Sequence, residues 1–271
     1  MPSRARRGLI AATILLVVVV GGALGVRALW NAAKSHFTSE GCTVGSYDVE
    51  TAQAAIASTM VGVVTRRALP ARAAVLVLAA GLQESKLRNL SPGEGDRDSV
   101  GVLQQRPSQH WGTTAQLTDV RFATSAFLDV LLDVPEWQHL DLAVAVQDVQ
   151  VSADGSLYGQ HESEAKALSD ALMGTAPAAI TCSFAKPTEV AAVTTVAAQV
   201  GKDLSINTPT TAGPSVTVPG ASWQTAAWFV ANADRLGIDK VAYDAKQWTR
   251  AKGWKAGSAP ATAVVATMYE K

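Results

Sequence analysis

Apolar side chains recur at three- and four-residue spacing through residues 48–66, with Ala52, Ile56, Met60 and Val63 on one stripe, the period of an amphipathic helix. A second helix is predicted from Pro70, a residue suited to a first helical turn, through Val75, Leu78 and Leu82 to about Ser85 or Lys86. It carries no charge between Arg72 and Glu84, so it is expected to be buried on most sides. Residues 121–132, 139–153 and 161–173 are further periodic stretches, the last ending before Gly174 and Pro177. Nothing between residues 42 and 182 sustains a period of two, so this region reads as all-α.

The pattern changes after Cys182, where Thr, Ala, Val and Pro dominate residues 186–220. Pro209, Pro214 and Pro219, with Gly213 and Gly220 between and after them, exclude one continuous helix over 205–220. A helix is predicted over 188–202, a short strand over 215–218, and a helix over 223–236 with Gly237 at its C-cap. Strands are predicted over 238–243 and 262–268. Together these define a small α/β module within 185–271, with a disordered wall-spanning tail as the alternative reading.

At the other end, a basic tail (residues 1–7, with Arg4, Arg6 and Arg7) precedes an uncharged run rich in Leu, Ile and Val that closes at Arg27. Residues 8–27 are about long enough to cross a hydrocarbon core of roughly 30 Å as a helix. The run lacks a small-x-small cleavage site, which favours an uncleaved anchor over a signal peptide. Positive charge before the span places the tail in the cytoplasm, so a juxtamembrane segment (28–41) and everything after it face outward. The expected location is therefore the cell membrane, with a single pass and the bulk of the chain extracytoplasmic. Cys42 and Cys182 are the only cysteines. In an oxidising compartment their pairing would close a loop of about 140 residues, worth about 4–5 kcal/mol on the chain-entropy view. Two free thiols are the alternative.

Charge and composition narrow the function classes. The 271 residues carry 23 basic and 23 acidic side chains, so no net field draws the protein to nucleic acid. His36, His110, His139 and His161 show no ligand spacing, and no metal or cofactor is expected. No Gly-x-Ser-x-Gly elbow or Gly-rich phosphate loop is present.

Glu84 is the residue suited to chemistry. It closes an apolar helix, where desolvation and the negative end of the helix dipole both raise a carboxyl pKa. A glycosidic oxygen needs such a group, protonated near neutral pH, as its general acid. Taken alone, a lone glutamate at a helix end is more commonly a solvated one. The order Gln-Glu-Ser (83–85), a polar loop, then Ser-Val-Gly-Val-Leu-Gln-Gln-Arg-Pro-Ser (99–108) resembles the lysozyme-like superfamily, in its lytic transglycosylase and goose-type lysozyme branch. More loosely, residues 42–182 resemble an extracytoplasmic actinobacterial family with this pattern.

The resemblance implies a mainly α fold, with a lysozyme-like α domain over 42–184 between the transmembrane helix and the small C-terminal α/β module. It implies Glu84 as acid and then base, with the sugar's own 6-hydroxyl or N-acetyl group as nucleophile and no second carboxylate required. Ser85 would position Glu84 or substrate. Gln104 and its neighbour Gln105 would line the cleft, and Gly101 would let a sugar approach the backbone. Trp111 is a candidate stacking platform, whereas Trp137 reads as packing at a helix start. Glu94, Asp96 and Asp98 read as a solvated loop.

The family's Ala-Tyr-Asn-x-Gly element is missing: Gln147, Gln150 and Ser152 stand on the corresponding helix. Gln147 is retained as a candidate substrate contact, and Tyr158 as a residue able to reach back. Trp223, Trp228, Trp248 and Trp254 with Tyr243 form either a binding face or a small core. The expected function is cleavage of the β-1,4 link between N-acetylmuramic acid and N-acetylglucosamine in peptidoglycan glycan strands. The lipid bilayer is a second partner through residues 8–27, and other envelope proteins are candidate partners through 185–271. The alternative is an inactive peptidoglycan-binding or envelope-assembly scaffold.

Overall fold

The computed structural model describes residues 40–270 except 153, 207 and 221. The expected span at 8–27, with its basic tail and nearly all of its juxtamembrane segment, lies outside the described residues. Among those described, no helix is long and apolar enough to cross a membrane.

The chain opens with strands β1 (Gly41–Val44) and β2 (Tyr47–Val49), a hairpin turning at Gly45. Helices α1 (Thr51–Arg66), α2 (Ala71–Ser85), α3 (Thr114–Leu117), α4 (Val120–Asp133), α5 (Leu142–Gln150) and α6 (Glu162–Leu172) follow. Strand β3 (Ile180–Ser183) then returns to pair antiparallel with β1, giving the sheet order β2-β1-β3. Cys42 lies directly opposite Cys182 in that register, and the two sulfurs are bonded at 2.06 Å.

Helix α2 forms the centre of this half. Ala73 to Leu82 are all buried, in contact with α1, α4, α5 and α6, as its uncharged sequence requires. Gly81 permits the closest approach, since a Cβ there would meet Leu87 Cδ2 at 2.9 Å and Met60 Cε at 3.3 Å.

Beyond β3 come α7 (Val193–Leu204), β4 (Thr210–Ala212), β5 (Ser215–Pro219), α8 (Trp223–Ala231), α9 (Ala233–Leu236), β6 (Ile238–Tyr243), β7 (Lys246–Thr249), β8 (Gly253–Ala256) and β9 (Ala263–Met268). Their strands make a six-stranded antiparallel sheet, β4-β5-β9-β6-β7-β8. Gly237, left-handed at φ 70°, caps α9 through its N–H to Asp234 O.

The expectation of a mainly α chain is overturned: among the described residues, nine strands in two antiparallel sheets stand beside nine helices, a mixed α/β architecture. Strands of three and four residues bury too few alternate positions to display a period of two, which is why β1, β2 and β3 escape the sequence pattern. The segment after residue 184 is also continuous with what precedes it. Residues 40–271 form one unit with one hydrophobic cluster, in which α7 and α8 pack on α1.

Polar bonds stitch the same junction. Trp248 Nε1 donates to Cys182 O (3.1 Å), and Trp254 Nε1 to Ile180 O (2.8 Å). Asn232, between α8 and α9, donates to Ser58 Oγ on α1 at 2.9 Å. Arg250, only 4% exposed, donates to the carbonyls of Ala185, Ala233 and Ile238 and pairs with Asp234 at 3.1 Å. Trp228 and Trp248 are fully buried, while Trp223 packs edge-on against Tyr243 and Trp254. The aromatic cluster is mainly core.

Candidate functional site

Glu84 sits in the last turn of α2, and left-handed residues Lys86 and Leu87 turn the chain sharply behind it. Their N–H groups cap the helix through Leu82 O and Gly81 O. Ser85 is buried: its hydroxyl donates to Val102 O at 2.8 Å and accepts from Arg88 N at 3.1 Å. The serine therefore fastens the 101–105 loop to the helix end, fixing Glu84 relative to that loop.

The loop itself is internally closed. Gly101 N donates to Leu90 O at 2.8 Å, and Val100 N to Gln105 O at 3.1 Å. Gly101 has φ +77°, and a Cβ would stand 2.1 Å from Leu117 O. Its smallness is thus required by the protein's own backbone, apart from any approach by a sugar. Gln105 faces inward: it is 2% exposed, and its Nε2 donates to Ala123 O at 3.3 Å. It is an interior amide rather than a cleft lining. Gln104, left-handed at φ 47° and half-buried, turns its amide back to Gly101 O at 2.9 Å.

Opposite Glu84 stands Tyr158, 0% exposed, whose hydroxyl donates to Glu84 Oε1 at 2.5 Å. The tyrosine rides on a 3-10 turn, Gly155–His161, held at both ends. At the near end, Gln147 on α5 donates to Ser152 O (2.9 Å) and accepts from Ser152 Oγ (2.7 Å), and Gly155 lies so close that a Cβ would meet Gln147 Oε1 at 2.6 Å. At the far end, Gln160 and His161 each reach Gln83 Oε1 at 3.0 Å. Gln147 therefore supports the turn that presents Tyr158. Gln150, one helical turn further along α5, donates to Leu103 O at 3.0 Å and also hydrogen-bonds Glu84.

This environment sets the protonation states. Burial pushes the Glu84 carboxyl above its usual range, and the hydrogen bonds from Tyr158 and Gln150 only partly pull it back. Burial, and then the bond to Glu84, push the Tyr158 phenol well above its ordinary value, so it remains a neutral donor at physiological pH. No cation pairs with Glu84 among the described residues. Because Tyr158 donates to Oε1, a proton carried by Glu84 belongs on its other oxygen.

The acids of the preceding loop are engaged elsewhere. Asp98 accepts from Arg106 Nε (2.7 Å) and Ser108 N (2.8 Å), contacts that hold it well below the usual carboxylate range. Glu94 accepts from Ser91 N, and Asp96 pairs with Arg97. Trp111 is half-buried against the core, His110 is exposed and left-handed, and Trp137 is buried as a packing residue.

Gln150, Gln83 and His161 complete the network without having been site candidates. Gln147 and Gln150 lie three apart on one helix, the spacing that puts two side chains on one face, and that was the available signal. Compared with models of known protein families and with curated proteins, the chain matches none.

Proposed function

We propose that this protein cleaves the β-1,4 glycosidic bond of peptidoglycan at the outer face of the membrane, as the lytic transglycosylase branch it resembles would imply. The observation that carries the reading is the half-buried Glu84, raised by burial and bonded only to neutral donors, the Tyr158 hydroxyl and the Gln150 amide. A carboxyl so placed gives up its proton to a leaving-group oxygen and then, as a carboxylate, recovers one from the attacking group. One residue serves both steps, with the nucleophile supplied by the sugar. Tyr158 stabilises the carboxylate left after the first transfer, so that the anion is never unsupported. Gln150 and Ser85 hold the 101–105 loop against the acid, fixing the wall across from which a glycan would lie.

The test is digestion of purified peptidoglycan by the full chain in detergent, with released muropeptides read by mass spectrometry. Release by the parent and its loss in Glu84→Gln support the reading. Equal release by the two proteins sinks it. Retention on peptidoglycan with no released muropeptide from the parent would replace the enzyme by the binding scaffold. Anhydro ends in the products would distinguish transglycosylation from hydrolysis.

A further inference from the structure

A second site candidate lies along α1, on the face formed by Ala52, Ala55, Ile56 and Thr59. Two cavities of about 370 and 500 Å³ adjoin there, sharing Thr59 and Arg235 in their linings. Both fall within the roughly 300–1,000 Å³ typical of ligand clefts. The first has an apolar floor of Ala52, Ala55 and Ile56; the second adds Arg121, Gln199 and Lys202. One trench thus joins an apolar half to a cationic half, with Arg235 where they meet.

Arg235 is pre-positioned and has no direct carboxylate partner; buried Asp203 acts on it only through space. Its Nε donates to Asn232 Oδ1 at 2.7 Å and its Nη1 to Gln199 Oε1 at 2.8 Å, both neutral amide oxygens. No carboxylate pairs with it among the described residues. Of the two acids in the trench walls, Asp234 is paired with a cation, Arg250, and Asp119 accepts the backbone N–H of Arg121 at the start of α4. Buried Asp203 holds Arg121 at 2.6 Å and Trp228 Nε1 at 3.0 Å. Lys202 likewise has no ion-pair partner among the described residues and adds a second available positive charge.

We propose that this trench binds an acidic peptide in extended form, its side-chain carboxylate on Arg235 and its apolar neighbours on Ile56 and Ala52. A guanidinium already fixed by two hydrogen bonds loses little freedom on meeting a planar carboxylate. The apolar floor distinguishes the occupant from a bare inorganic anion, which would use the cationic half alone. This inference is independent of Glu84 chemistry.

Fluorescence anisotropy with the full chain in detergent tests it. The probe is an N-terminally labelled Ala-Ala-Glu-Ala peptide with an amidated C-terminus, compared with its Gln counterpart. The Glu peptide is expected to bind about fivefold more tightly than the Gln peptide, the upper end for a well-oriented exposed ion pair. Arg235→Gln should erase that preference, and Lys202→Gln should weaken the Glu peptide about threefold, as an exposed charge does. Glu84→Gln should bind like the parent. Equal affinity for the two peptides, or a preference that survives Arg235→Gln, overturns the proposal. Displacement of the peptide by inorganic phosphate at equal concentration would also overturn it, leaving only an anion site. If Arg235→Gln loses its near-ultraviolet circular dichroism, Lys202→Gln decides: unchanged affinity there refutes the trench.

Discussion

Asp203 and Glu84 are both carboxylates drawn out of water, and the protein treats them in opposite ways. Asp203, its side chain 1% exposed, receives the Arg121 guanidinium at 2.6 Å and the Trp228 indole N–H at 3.0 Å. Its charge is matched by a cation, and it ties α4, α7 and α8 together. Glu84 is less buried and yet meets no cation, only a phenol and an amide. Burial beside a cation makes a structural acid, whereas burial without one raises the carboxyl pKa and favours its protonated form. The difference lies in the partners rather than in depth.

That contrast can be broken in graded steps. The largest expected effect is Glu84→Gln, which should lower peptidoglycan cleavage by about 10²–10⁴-fold, the contribution of a positioned general acid, measured as muropeptide release. Asp203→Ala should leave Arg121 without its acid and lower stability by about 3–5 kcal/mol, measured by chemical denaturation. Activity per folded molecule should survive that change. A third variant, Gln150→Lys, would give Glu84 the kind of partner Asp203 has. It should pull the Glu84 carboxyl down, as a neighbouring cation does, and move the high-pH fall in activity towards acid.

Tyr158→Phe acts in the other direction. Its hydroxyl favours the carboxylate, so its loss should raise the Glu84 pKa and shift the same limb towards higher pH, with kcat down about tenfold for one lost transition-state contact. The smallest effect concerns stability. The raised carboxyl means that the folded protein keeps a proton which the unfolded chain has already released, so stability is full below the ordinary carboxylate range and falls as pH rises through the raised value. Glu84→Gln should abolish that fall, giving a higher melting temperature than the parent at neutral pH and no gain in acid.

Helices were legible in the chain to the extent that they bury a face. The stripe over 48–66 and the uncharged run after Pro70 correspond to α1 and α2, because a continuous buried surface imposes its period on the sequence. The predicted helix over 223–236 is interrupted at Asn232, whose amide turns to Ser58. That preference depends on α1, more than 170 residues away. Strands β4, β7 and β8 were not predicted at all. Each has three or four residues, and hairpin turns such as the left-handed pair Asp244 and Ala245 lack the glycine that usually marks them.

The site divides along the same line. Glu84 was readable from its own helix, and Ser85 from adjacency. The inward turn of Gln105 was not, because an amide at the end of a glycine-bearing run looks the same whether it faces a cleft or Ala123. The support given by Tyr158 depends on a turn pinned by Gln83 and Gln147. Such a three-body arrangement leaves no periodic trace.

The bond between neighbouring strands β1 and β3 makes a covalent ring of everything from Cys42 to Cys182. A single protease cut inside that ring would free no fragment, so a nicked molecule would migrate at full mass until a reductant split it in two. Damage to the loops around Glu84 would therefore open the chain without shedding it. Wherever a protease reaches those loops, such a ring converts cleavage from loss of a domain into a local break.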